Sequence, residues 1–142
     1  MIAFKSFFVI SVFALSLSAF ATKPNATLTP GVVCTPKDPD FSGFRYKEKI
    51  AVCARNISHD EKLRVAQMYE NIPESTWKNY EFDHLIPVSA GGSNDIGNLW
   101  PQPIIEAHQK DIVEDEIFRG LEAGTMTQAE GIQKMRDWIK AH

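Results

Sequence analysis

The segment from Tyr80 to Pro103, YEFDHLIPVSAGGSNDIGNLWPQP, constrains the fold more than any other part of the chain. Tyr80 to Ile86 alternates and is rich in aromatic and branched residues, the pattern of a strand. Val88 to Gly97 carries Gly91-Gly92 and Ser93-Asn94-Asp95, which is turn chemistry. Asn98-Leu99-Trp100 then starts a second short strand. Pro103 suits the first turn of a helix, where its missing N–H costs nothing. The order strand, long loop, strand, helix is therefore expected. The helix should run to about Arg119, with Ile105, His108, Ile112 and Glu116 on one stripe.

The remaining chain supplies flanks for this unit. Residues 1–21 read as a signal peptide: an early Lys5, an apolar run without acids, and Ala19-Phe20-Ala21 as the cleavage site. The product is expected to be exported, periplasmic or secreted, with no stable membrane association after cleavage. Residues 22–142 then form a single domain and a monomer. Cys34 and Cys53 are the only cysteines, and in an oxidising compartment they are expected to form a disulfide. Prolines 24, 30, 36 and 39 keep the lead irregular, and a β-prone piece lies at Ile50 to Cys53. Ser58 with Glu61, and Thr127 with Glu130, have capping-box spacing and open a helix each. The expected class is α+β.

Charge excludes one kind of partner. Without Lys5 the chain has fourteen basic and eighteen acidic residues, a balance of −4 that argues against unspecific nucleic-acid binding through a broad basic surface. A local basic group runs from Arg45 to Arg64, and Arg45 and Arg55 are its candidates for holding phosphate. A solvated face is the plainer reading of the same residues.

A carboxylate at a strand end and an imidazole on a following helix can meet around one divalent cation. Asp83 and His108 are the candidates. His84 then stands beside the ion as a neutral imidazole able to take a proton from water. From the returning strand, the Asn98 amide can hold the backbone of the His84 turn. Glu81 shares the strand face of Asp83, and Asp111 lies one helical turn after His108; both are candidates for supporting the ligands.

Asp83-His84, Asn98 and His108, with DHLIP, GGSND, NLWPQ and AH followed by Lys110-Asp111, resemble the HNH motif of the ββα-metal, or His-Me finger, endonucleases, above all small exported bacterial members. The likeness is sharpest over Glu81 to Asp111, within a motif core of about 80–119. It implies a ββα-metal hairpin-plus-helix core with flanking helices, Asp83 and His108 as metal ligands, His84 as general base and Asn98 as its orienting partner. It further implies one divalent ion, magnesium first, with manganese, nickel or zinc as alternatives. The substrate is nucleic acid, DNA before RNA, cut with little sequence readout. The chain departs from the branch that carries two CxxC pairs around the motif for structural zinc. Two other classes stay open. One is a catalytically silent HNH fold that binds nucleic acid or protein. The other is a metal hydrolase of another ester.

Overall fold

The computed structural model describes residues 23–142; the expected signal peptide lies outside them. The architecture is α+β, with two small antiparallel sheets, several helices and one disulfide. Strands β1 (Phe41–Arg45) and β2 (Ile50–Cys53) form the first hairpin, closed by a turn in which Tyr46 and Lys49 take positive φ. Helix α1 (His59–Met68) follows, and Ser58 and Glu61 form the expected capping box. Such a cap is worth about 1 kcal/mol. Val65, Ala66 and Tyr69 carry its buried side.

The second hairpin pairs β3 (Tyr80–His84) with β4 (Leu99–Pro103) in register from Tyr80↔Pro103 to His84↔Leu99. Helix α2 (Ile104–Ala123) starts directly at the end of β4, with Pro103 at the N-cap. Proline fits there because the helix asks for no N–H from that position. Thr127 caps α3 (Gln128–Ala141) through the second capping box, and Met135 is its fully buried contact.

Two expectations for α2 fail. The helix continues to Ala123, past Arg119, until Gly124 adopts a left-handed conformation. The expected inner stripe is its solvent side: Ile105 is 76 % exposed, Ile112 is 65 % exposed, and His108 and Glu116 are exposed. The buried stripe is Ala107, Lys110, Ile117 and Leu121. Both stripes have helical spacing, and the hairpin decides between them. Strand β1 was also not expected. The disulfide joins Cys34 to Cys53, tying the irregular lead to β2. That lead then runs along the 85–98 loop, with Cys34 N donating to Gly91 O at 2.7 Å and Ser93 N to Val32 O at 3.0 Å. No helix among the described residues is long and apolar enough to cross a membrane.

Candidate functional site

The end of β3 gathers buried polar groups. Asp83, His84, Asn94, Asn98 and Lys110 are all buried there. The pleat separates Asp83 from His84, since neighbouring residues of a strand point to opposite faces. Asp83 meets α2, and His84 meets the loop.

Two glycines shape the loop. Gly91 has φ +82, which a side chain adopts only with strain. At Gly92 an added Cβ would lie 1.8 Å from Ile86 O, so the backbone approaches closer than any side chain permits. Asn98 closes this turn. Its Oδ1 accepts from Ile86 N at 2.9 Å, and its Nδ2 donates to Ile86 O at 3.1 Å and Ser93 O at 2.9 Å. The Asn98 side chain thus bonds the backbone two residues after His84 and makes no hydrogen bond to the imidazole.

The imidazole has another partner, Asn94, with Nε2 3.0 Å from Asn94 Oδ1. Asn94 Nδ2 donates to Asp40 Oδ2 at 2.8 Å and to Ala54 O at 2.8 Å. Both of those are acceptors, so the amide orientation is settled and Oδ1 must face the ring. An amide oxygen only accepts, hence His84 Nε2 carries the hydrogen and Nδ1 carries the lone pair. Nδ1 is buried without a hydrogen-bond partner and lies 4.0 Å from Asp83 Oδ1. Burial lowers the His84 pKa below its ordinary 6.5, outweighing the Asn94 bond and the Asp83 charge. The ring is neutral at pH 7.

Lys110 dominates the other face. Its Nζ is 2.6 Å from Asp83 Oδ2 and also bonds Glu114 on the next turn of α2, with the lysine side chain fully buried. Burial alone would raise the Asp83 pKa, but Lys110, the His84 backbone and Arg55 together hold it below the usual value. Burial pushes Glu114 up, beyond what Lys110 offsets. For Lys110, burial works downward, and the two carboxylates more than reverse it. One ammonium thus serves two acids, and Asp83 holds the stronger claim as the carboxylate kept ionised.

Arg55 links this cluster to the surface. Its guanidinium donates to Glu81 Oε1 at 2.9 Å and reaches Asp83 Oδ1 at 3.4 Å, while its side chain stays 48 % exposed. It lines an open cleft of about 450 Å³ together with Lys62, Trp77, Tyr80, Glu81, Ile104 and His108. Arg45 is exposed on the first hairpin and lines no part of this cleft. Asp111 is exposed and bonds to no imidazole.

The residues do not fit the divalent ion expected on Asp83 and His108. Residues two apart on an α-helix point about 160° away from each other, so α2 cannot aim both Lys110 and His108 at Asp83. It aims Lys110. Among the described residues no three carboxylate or imidazole groups at this strand end lie within 4.8 Å of one another; the one such group, Cys34, Asp38 and Cys53, has both sulfurs in the disulfide.

Lys110, Glu114, Asn94 and Asp40 escaped the sequence reading as site members. Lys110 and Glu114 had a usable signal, a charged pair four apart on a stripe with Ala107, Ile117 and Leu121. Asn94 had none beyond its place in a turn. Searches against protein-family models, curated proteins and solved structures find no match to this chain. The likeness to HNH endonucleases therefore rests on the motif residues themselves.

Proposed function

We propose that this protein hydrolyses phosphodiester bonds of nucleic acid, DNA before RNA, through an HNH-type site on a ββα core made of β3, β4 and α2. The observation that carries this reading is the His84 imidazole, which is neutral, locked in one tautomer by Asn94, and presents Nδ1 as a lone pair beside Asp83. In the proposed reaction, Nδ1 takes a proton from water and the water oxygen attacks phosphorus in line. The bond from phosphorus to the leaving oxygen breaks, and that oxygen takes a proton from solvent. Arg55 meets the phosphate from the cleft. It is the half-exposed member of the cluster and lies 3.4 Å from Asp83 Oδ1. Trp77 and Tyr80 line the same cleft and offer apolar surface to a sugar or base. No step of this reading runs through a metal ion. The disulfide supports an oxidising compartment, in keeping with an exported protein.

Two observations favour a silent binding module instead: His84 is 1 % exposed, and Lys110 pairs with Asp83. Cleavage of supercoiled plasmid DNA by the purified, oxidised protein separates the two readings. Assays contain EDTA, magnesium or manganese, with His84→Ala alongside. Nicking by the wild type, reduced at least a hundredfold in His84→Ala, is expected. A folded wild type that cuts neither DNA nor RNA under all of these conditions would sink the nuclease reading.

A further inference from the structure

The cation between the hairpin and α2 is an ammonium. Lys110 is completely buried, its Nζ 2.6 Å from Asp83 Oδ2 and bonded to Glu114 as well. A buried ammonium is costly unless its charge is matched and its hydrogens are used. Here two carboxylates match it, so the arrangement is closed within the protein. The second Asp83 oxygen faces Arg55 at 3.4 Å. A divalent ion arriving on Asp83 would meet one positive charge already bonded to that carboxylate and another beside it. His108 lines the cleft with Arg55 and Glu81, and the residue of α2 that bonds Asp83 is Lys110.

We propose that Lys110 takes the place of a divalent metal at Asp83, so that the protein binds no metal there and cleaves phosphodiesters without one. The second half of this statement rests on the nuclease reading; the first half does not. Lys110 acts as a positioning residue. It keeps Asp83 ionised and fixed beside His84, while the positive charge offered to the substrate phosphate comes from Arg55 and Lys62 in the cleft. Glu114 completes the arrangement by bonding the same ammonium from the next turn of α2.

Manganese titration of the whole purified protein, followed by the EPR signal of free Mn2+, tests this directly. The wild type is expected to retain no Mn2+ below the millimolar range, and to match Asp83→Asn. Lys110→Ala removes the ammonium and leaves Asp83 and Glu114 facing each other. It is expected to gain one Mn2+ equivalent bound at least tenfold tighter. If Lys110→Ala does not fold, the wild-type isotherm decides by itself: one equivalent held below millimolar and lost in Asp83→Asn overturns the proposal. Cleavage that continues in EDTA supports the second half, and cleavage abolished by EDTA and restored by Mn2+ overturns it. A protein that never cleaves defeats the nuclease reading, and its Mn2+ isotherm still decides the role of Lys110.

Discussion

The two hairpins have strands of four or five residues, yet they are held by different physics. The first closes in a short turn, exposes Phe44, and is tied to the lead by the Cys34–Cys53 bond. The second closes over the long 85–98 loop and has no covalent tie of its own. Asn98, Asn94 and Lys110 hold it through buried hydrogen bonds and ion pairs. A disulfide acts largely on the unfolded chain and says little about local geometry. A buried polar network is costly wherever it is incomplete, and so it specifies the position of every member. The hairpin that needs exact atom positions is the one built from polar groups.

Removing one member of each hairpin breaks this comparison most sharply. Asn98→Ala leaves Ile86 N, Ile86 O and Ser93 O without their partner. Three such losses at about 1–3 kcal/mol each predict a destabilisation of about 4 kcal/mol. Chemical denaturation of the oxidised protein measures it, and a loss under 1 kcal/mol would mean that water replaces the amide. Cys34→Ala/Cys53→Ala opens a cross-link with a sequence separation of 19 residues. The expected cost is about 3 kcal/mol by loop-closure entropy. The two variants should also differ in kind. Asn98→Ala should abolish plasmid nicking even where it remains folded. The double cysteine variant should retain most of the nicking, because the bonds that the two cysteine segments make to the 85–98 loop, Cys34 N to Gly91 O and Asn94 Nδ2 to Ala54 O, do not use the sulfurs.

The sequence made the second hairpin legible and the first only half so. Alternation in Tyr80–His84, turn residues in the loop and Pro103 before the helix are local signals, and the strand, loop, strand, helix order follows from them. Capping boxes at Ser58 and Thr127 are local as well. Strand β1, FSGFR, has a glycine, an irregular register at Phe41/Gly43 and little buried surface, so nothing in its own pattern marks it. Within the site, Asp83, His84 and Asn98 meet at one strand end. His108 lines the adjoining cleft with Arg55 and Glu81, on the exposed stripe of α2. Its stripe, 105, 108, 112 and 116, is as helical as the buried one, and a search for apolar faces passes over a stripe that contains a lysine. Asn94 is bound to Asp40, 54 residues earlier, a pairing that only the folded chain reveals.

Acid should distinguish the hairpins next. His84 is held neutral, so its folded pKa lies below 6.5, while the unfolded chain takes up the proton near that value. Stability is therefore lost as pH falls from 6.5 toward the folded value, by at most about 1.4 kcal/mol per pH unit for one proton. Asp83, with a lowered pKa, begins to lose its contribution only below 3.8, and the raised Lys110 loses its own only above 10.5. Glu114 works in the opposite sense, since its raised pKa lets the folded state bind a proton first, above 4.5. Just below pH 6.5 the slope belongs mainly to His84. Thermal unfolding across that range should show a falling Tm in the wild type and a flatter profile in His84→Gln. An equal slope in both would place the titration elsewhere.

The smallest effect concerns the two arginines, one on each side of the comparison. Arg45 and Arg55 are equivalent in the sequence as candidate phosphate contacts, and both reach solvent. Only Arg55 faces the cleft, with Glu81 and Asp83 at its guanidinium. Its ion pair with Glu81 is too exposed to matter much for folding, and either alanine variant should cost less than about 1 kcal/mol of stability. Binding should divide them. Arg55→Ala is expected to weaken DNA binding about tenfold in a gel-shift assay, the worth of one charge-assisted contact. Arg45→Ala should stay within about twofold. Equal losses would mean that the two arginines work as a diffuse positive surface, and the cleft would lose its claim to the phosphate. A loss confined to Arg55 would tie the phosphate to the side chain that also touches Asp83, which joins the cleft and the buried strand end into one site.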